Sequence, residues 1–129
     1  MNAEHFKKRT KAFALRVIRL VESLPNTKTS SVIGKQLLRS GTSVGANYRS
    51  ACRARSRADF VAKMGIVEEE TDESLYWMEL LVDSGQMKAA RLSGLMGECN
   101  ELLSLAVASG RTAKHRSNPQ SAMRNPKSR

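Results

Sequence analysis

The sequence contains a Gly-x-Ser-x-Gly string from Gly41 to Gly45, the spacing that places a serine nucleophile in α/β-hydrolases. That chemistry requires a strand, a sharp turn and a helix, followed later in the chain by an acid and a histidine. Here the string lies inside a helical pattern, and His115 is the only histidine after it. We therefore interpret the match as a coincidence and predict no catalytic residue and no enzymatic activity.

Acidic residues are concentrated in one stretch, which suggests the dimetal centre of some helical bundles. The acids of this stretch are Glu68, Glu69, Glu70, Asp72, Glu73 and Glu79. A dimetal centre needs inward carboxylates from several helices and Glu-x-x-His pairs. The sequence has no such pair, and His5 and His115 are single and peripheral. We expect a solvated or ion-paired face instead, with no metal and no cofactor.

The densest group of cations is formed by Arg49, Arg53, Arg55 and Arg57. Arg49, Arg53 and Arg57 recur every fourth residue, which would align them along one helix face. Like charges at this spacing repel each other, so they should have anionic partners: acids of the third helix, acids of a neighbouring subunit, or phosphates. Basic residues near both ends of the chain favour phosphates. The candidate nucleic-acid-binding residues are Lys7, Lys8, Lys11, Arg49, Arg53, Arg55, Arg57, Arg111, Lys114 and Arg116.

Composition supports one small helical domain with an anionic partner. The 129 residues include 40% apolar but only 5% aromatic side chains, and 22 basic against 12 acidic residues give a formal charge of +10. Such an excess favours nucleic acid over a membrane as the partner. Cys52 and Cys99 match no metal or redox spacing. The first residues lack the apolar core of a signal peptide, so we expect a cytoplasmic protein.

Apolar residues recur at steps of three and four in four stretches, which predicts helices at about residues 5–24, 31–54, 56–83 and 88–109. Short connections imply antiparallel neighbours. We predict an all-α, up-down-up-down four-helix bundle over residues 1–109. Residues 110–129 contain almost nothing apolar and are predicted to be a disordered basic tail.

Two glycines, Gly41 and Gly45, fall inside the second predicted helix, where each costs about 1 kcal/mol relative to alanine. Their spacing leaves a smooth strip on which another backbone can lie closely. Close helix packing is the preferred explanation, and a break in the helix near residues 40–42 is the alternative.

The third predicted helix has more apolar residues than its inner seam needs. They are Ile66, Tyr76, Trp77, Leu80 and Leu81. A four-helix monomer of this length would leave some of them exposed, and neighbouring Tyr, Trp and Met side chains are typical of interfaces. We therefore predict a homo-oligomer with Tyr76, Trp77 and Leu80 as candidate interface residues.

Three strings resemble a known family. They are R-S-G-T-S-V-G-A-N (39–47), A-D-F (58–60) and I-V-E-E-E-x-D-E-S-L-Y-W-x-E-L-L (66–81). They resemble the four-helix-bundle family of 23S rRNA intervening-sequence proteins, whose superfamily includes the accessory variability determinant of diversity-generating retroelements. The resemblance spans roughly residues 5–109 and rests most on Ser43 and Asn47 with flanking Arg39.

The resemblance implies an antiparallel bundle assembled as a ring-like homopentamer without catalytic residues. The retroelement relative binds nucleic acid and its reverse transcriptase through basic surface. Ser43 and Asn47 would form a polar contact between helices or subunits. Many members continue after the asparagine with a hydrophobic residue and Glu-Gly, where this chain has Tyr48, Arg49 and Ser50. The arginines are therefore particular to this branch of the family.

These observations favour a non-enzymatic oligomeric scaffold or accessory factor that binds RNA or DNA through its basic surface. The alternative is a structural or protein-interaction module whose arginines pair with acids at subunit interfaces.

Overall fold

The computed structural model of the protein describes residues 2–117, which form four α-helices and no strand. The helices are α1 (Ala3–Glu22), α2 (Lys28–Cys52), α3 (Arg57–Asp83) and α4 (Ala89–Ser117). Polar side chains set three of the helix starts, because a cap oxygen accepts an otherwise unpaired N–H of the first turn. Asn2 accepts from the His5 N–H at 2.7 Å, Thr27 from Ser30, and Ser56 from Asp59.

The helices form an antiparallel bundle in which each helix contacts its neighbours in the chain and α4 returns to α1. Two contact pairs show the antiparallel course of α1 and α2: Thr10 lies against Gly45, and Leu24 against Gly34. Helices α1 and α4 are also antiparallel, since Arg9 contacts Glu98 and Arg16 lies against Gly94. The predicted four-helix fold is therefore confirmed for residues 2–117.

The buried residues of α1 and α4 have the spacing of three and four residues that predicts these helices. The buried residues of α1 are Phe6, Thr10, Phe13, Val17 and Leu20, and those of α4 include Leu92, Leu95, Cys99, Leu102 and Ala106. In α3, Ser74 and Leu81 are fully buried, whereas Leu75 is half-buried. Leu81 therefore belongs to the core and is not one of the exposed apolar residues of α3.

Helix ends agree with the prediction to within three residues, except at the end of α4. That helix does not stop at Ser109 but continues through Gly110 to Ser117. Gly110 is buried, and a Cβ on it would stand 3.1 Å from Glu68 and 3.7 Å from Met64 of α3. This glycine serves close packing, so the predicted tail is wrong for residues 110–117. The rest of that tail, 118–129, lies outside the described residues.

The two glycines of the Gly-x-Ser-x-Gly string lie on α2 where it packs against α1. A Cβ on Gly41 would stand 2.9 Å from both methyl carbons of Val17, and one on Gly45 would stand 3.1 Å from the Thr10 hydroxyl. Helix α2 is continuous through this region. Close packing is therefore the reason for these glycines, and the alternative of a helix break is wrong.

An ion-pair cluster joins α1 to α4, the pair of neighbouring helices with the least contact. The Arg9 guanidinium donates to both carboxylate oxygens of Glu98, at 3.1 and 2.7 Å, and to Glu101 at 2.9 Å. These hydrogen bonds raise the pKa of Arg9 above its ordinary value. Because the side chains of Arg9 and Glu98 are only 24% and 21% exposed, this pair is less screened than a surface ion pair.

Replacing Gly41 with alanine should destabilise the protein, because overpacking against Val17 outweighs the helix propensity that alanine adds. Overpacking costs about 1–3 kcal/mol, and the propensity gain offsets up to about 1 kcal/mol of it. Gly65→Ala is the matched control, since nothing lies within 4 Å of a Cβ there. Denaturant unfolding should show a loss for Gly41→Ala and a gain for Gly65→Ala. A gain in both variants would contradict close packing at Gly41.

Replacing Arg9 with glutamine should lower the free energy of unfolding by about 1 kcal/mol, because Glu98 and Glu101 lose their shared cation. The loss should shrink as salt is added. Lys8→Gln is the control: Lys8 is exposed, and its replacement should change stability by less than about 0.5 kcal/mol. Equal effects of the two substitutions would show that the cluster does not hold α4 to α1.

Candidate nucleic-acid interface

The antiparallel fold gathers the cations at one end of the bundle. The start of α1, the end of α2, the start of α3 and the end of α4 meet there, in residues 2–11, 46–63 and 108–117. This basic end carries twelve lysines and arginines against two acids, a formal charge of +10. The other described residues carry seven basic and ten acidic side chains. All ten candidate nucleic-acid-binding residues belong to the basic end.

A cleft of about 490 Å³ lies between α1 and α2 at the basic end. The small residues Ala14, Gly45 and Ala46 are among those that line it. Their short side chains leave space between the longer side chains of α1 and α2. Its cations come from both helices: Lys7, Lys8 and Lys11 from α1 and Arg49 from α2. The cleft therefore has positive charge on two facing walls.

A second cleft, of about 520 Å³, continues from the first around the end of α2. The two clefts share Ala46 and Arg49, and the second adds Arg53, Arg55 and Lys63. We call the two clefts together the basic groove. Lys63 was not among the predicted residues, because its position beside Arg49 depends on the loop between α2 and α3.

The groove contains more positive than negative charge, since only two of its cations have a carboxylate partner. Lys7 pairs with Glu4 at 3.3 Å, and Lys63 with Asp59 at 3.0 Å. The Lys63 ammonium and the Arg55 backbone N–H lower the pKa of Asp59. No carboxylate of residues 2–117 is within ion-pair distance of the side chains of the other groove cations: Lys8, Lys11, Arg49, Arg53 and Arg55.

The remaining candidate cations lie at the same end but outside the groove. Arg57 begins α3 and lines a separate cleft between α3 and α4, together with Phe60 and Leu105. The expected alignment of Arg57 with Arg49 and Arg53 is wrong, because α2 ends at Cys52 and the loop turns the chain. Arg111 and Lys114 are exposed on the last turns of α4, and Arg116 follows in the same helix.

The acids of α3 neutralise a cation that is not part of the predicted arginine group. Arg39 of α2 pairs with Glu70 at 3.4 Å and makes a close ion pair with Glu73. Arg49 and Arg53 are exposed and lie closer to the end of α2 than Arg39 does. Asp59 of α3 lines the same cleft as Arg49 and Arg53 but pairs with Lys63. Arg49 and Arg53 therefore form no ion pair with α3, and a neighbouring subunit or phosphates stay open as their partners.

The family-motif residues Arg39, Ser43 and Asn47 form one row along α2 and bond within the helix. The Ser43 hydroxyl donates to the Arg39 carbonyl at 2.7 Å, and the Asn47 amide donates to the Ser43 carbonyl at 2.8 Å. In this chain neither side chain forms a hydrogen bond to another helix, contrary to one of the expectations. Ser43 lies inside a continuous helix, so the strand–turn–helix geometry of a nucleophile elbow is absent at this serine.

The candidate interface residues lie on α3, away from the basic groove. Tyr76 is 53% exposed and meets the ring of Trp77 edge to face, with centroids 5.2 Å apart. Trp77 and Leu80 are half-buried, and the indole N–H of Trp77 donates to Glu73 at 3.2 Å. Ile66 is 41% exposed on the same helix, and Val32 is 57% exposed on α2.

Other side chains with reactive or ligating groups form no further site in residues 2–117. Cys99 is buried and donates to the Thr71 carbonyl, and burial raises its thiol pKa to about 12. Cys52 is exposed at the end of α2. The described His, Cys, Asp and Glu residues form no group of three that could hold a metal ion. None of the described helices combines the length and apolar character that a membrane span requires.

The chain is similar to a solved crystal structure, that of a protein of unknown function from the S23 ribosomal protein family of Bacteroides thetaiotaomicron VPI-5482. The two sequences are 35% identical, and the structures superpose with a TM-score of 0.80. The match covers 86% of this chain and 99% of the other. No curated protein matches the chain.

The family described as 23S rRNA-intervening sequence protein matches residues 4–108, which span nearly all of α1, all of α2 and α3, and most of α4. This match agrees with the resemblance of the strings at residues 39–47, 58–60 and 66–81. The chain therefore belongs to the family of 23S rRNA-intervening sequence proteins.

Proposed function

We propose that this protein is a non-enzymatic, cytoplasmic accessory or scaffold factor that binds RNA or DNA through the phosphates. The observation that carries the proposal is the basic groove, in which lysines of α1 face Arg49 of α2 across a cleft of about 490 Å³. Holding like charges together is unfavourable in the free protein. A bound polyanion removes that cost and releases its own counterions, which is the main source of phosphate-directed affinity.

The distribution of acids also supports the proposal. Seven basic and ten acidic residues leave the rest of residues 2–117 slightly negative, while the basic end has a formal charge of +10, of which the Arg9 charge is paired with Glu98 and Glu101. A charge separated in this way orients the molecule toward a polyanion and speeds their encounter. An evenly spread charge of the same size would not orient the molecule.

Substituting groove cations should weaken nucleic-acid binding and reduce its salt dependence. In Lys8→Gln/Lys11→Gln/Arg49→Gln, three cations are lost, and each phosphate contact contributes a slope of about −0.9 in a plot of log affinity against log salt. The slope on duplex DNA should become shallower by about 3 units. Filter retention or fluorescence anisotropy with labelled RNA and duplex DNA measures both effects.

The matched control is Lys28→Gln/Lys35→Gln/Lys88→Gln, which removes the same charge from exposed residues at the opposite end. It should keep nearly all of the affinity. A chain ending at Ser117 separates the groove from residues 118–129 without cutting α4. Absence of binding at low salt by both the full chain and this shorter chain, or equal losses in the two triple variants, would contradict the proposal.

We also propose that the protein works as a homo-oligomer, with the ring-like pentamer of the family resemblance as the expected form. Val32, Ile66 and Tyr76 are exposed apolar residues on α2 and α3. The half-buried Trp77 contacts Tyr76, and the half-buried Leu80 follows Tyr76 by four residues on α3. Burying such residues against a second copy is favourable by roughly 25 cal/mol per Å² of apolar area. This observation also supports the alternative function, a structural module whose arginines pair with acids of a neighbouring subunit.

Light scattering should therefore give a mass well above the 14.3 kDa of one chain. Ile66→Ser/Tyr76→Ser should shift the mass toward that of a monomer, because polar side chains remove the apolar contact. Leu15→Ser is the control, since Leu15 is 44% exposed on α1, outside the proposed interface. A stable monomer of the unmodified protein would contradict the oligomer. A stable oligomer that binds no nucleic acid would favour the alternative function.

A further inference from the structure

The basic groove has cations but no aromatic ring among the residues that line it. All six aromatic residues of the chain lie in its described part. Phe6, Phe13 and Tyr48 are almost completely buried, and burial raises the pKa of the Tyr48 phenol, which keeps it neutral. Phe60 and Trp77 are half-buried against the core. Proteins that bind single strands without sequence preference stack bases on aromatic side chains, and the groove lacks these.

Tyr76, the one exposed aromatic residue, lies in the second half of α3, away from the basic end. Phe60 is closer, but it lines the separate cleft between α3 and α4. Neither ring is among the residues that line the groove around Lys8, Lys11 and Arg49. Binding in the groove therefore depends on its charges.

The neutral polar groups of the first cleft are already bonded to the backbone. The Thr42 hydroxyl donates to the carbonyls of Leu38 and Arg39, at 2.7 and 3.2 Å, and the Thr10 hydroxyl donates to the Lys7 carbonyl at 3.1 Å. The Asn47 amide points into α2 and does not line the groove. The groove thus offers few neutral donors for base edges, and its cations are suited to phosphates.

Charge density then decides which nucleic acid is preferred. A duplex carries one phosphate charge per about 1.7 Å of axis, since both strands contribute, and its counterion release per phosphate contact is larger than that of a single strand. The lysines of α1 and the arginines of α2 stand on opposite walls of the groove, and residues four apart on one helix are separated by about 6 Å. Several cations can therefore contact closely spaced phosphates together. A groove that contacts only phosphate charges binds the nucleic acid with the higher charge density more tightly.

We propose that the basic groove holds double-stranded nucleic acid by its phosphates, in preference to single strands of the same sequence. This inference rests on the proposed function and specifies its substrate class. The same groove residues act on duplex RNA and duplex DNA, because both present densely spaced phosphates.

The test compares the affinity of the full chain for four labelled probes of one unstructured sequence: an RNA duplex, a DNA duplex and one single strand of each. Fluorescence anisotropy is recorded at several salt concentrations from about 50 to 200 mM. Each duplex should bind at least about tenfold more tightly than its single strand at the lowest salt, with a steeper salt slope. A duplex of scrambled sequence should bind equally well.

Phe60→Leu provides a second test that leaves every charge in place. It removes the one partly exposed aromatic ring of the basic end, and binding to all four probes should stay the same. Selective loss of single-strand binding in this variant would show base stacking and would overturn the inference. Single strands that bind as tightly as duplexes would also overturn it, while the proposed function would stand. Absence of binding to every probe would end both.

Discussion

The close approach of α1 and α2 is the constraint on which the rest of this structure depends. Gly34, Gly41 and Gly45 let the two backbones approach until Val17 and Thr10 fill the space that side chains would occupy. The same contact fixes the floor of the basic groove, because Gly45 and Thr10 also line it. Two positively charged helix faces are thereby held beside each other, although their charges repel. Apolar burial along the α1 and α2 seams supplies the stabilisation that offsets this repulsion.

Two ion-pair clusters within the chain use acids that lie outside the groove. Glu98 and Glu101 of α4 bind Arg9, and Glu70 and Glu73 of α3 bind Arg39. Each cluster joins two neighbouring helices and so contributes to the bundle. Glu4 and Asp59 are the acids that remain at the basic end, and each is paired with one lysine. The fold therefore separates its charges, with the unneutralised cations grouped around the end of α2.

The helices and their antiparallel order could be predicted from the sequence, whereas the register of one helix against another could not. The apolar spacing of α1 predicted its buried face, because Phe6, Phe13 and Val17 repeat with the period of the helix itself. The sequence predicts that the last helix ends before Gly110, since glycine is common just past a helix end. The buried position of Gly110 against α3 depends on the register of α4. In the same way, the loop after Cys52 separates Arg57 from the groove and brings Lys63 into it.

Lysine reactivity tests the central claim, that the basic groove is the surface that contacts nucleic acid. The four groove lysines are Lys7, Lys8, Lys11 and Lys63, and the exposed lysines at the opposite end are Lys28, Lys35 and Lys88. An amine-acylating reagent applied with and without a saturating duplex, followed by mass spectrometry, reports each lysine separately. The groove lysines should become protected while the other three keep their reactivity. Protection of the opposite end, or unchanged reactivity throughout the groove in a bound complex, would contradict the account.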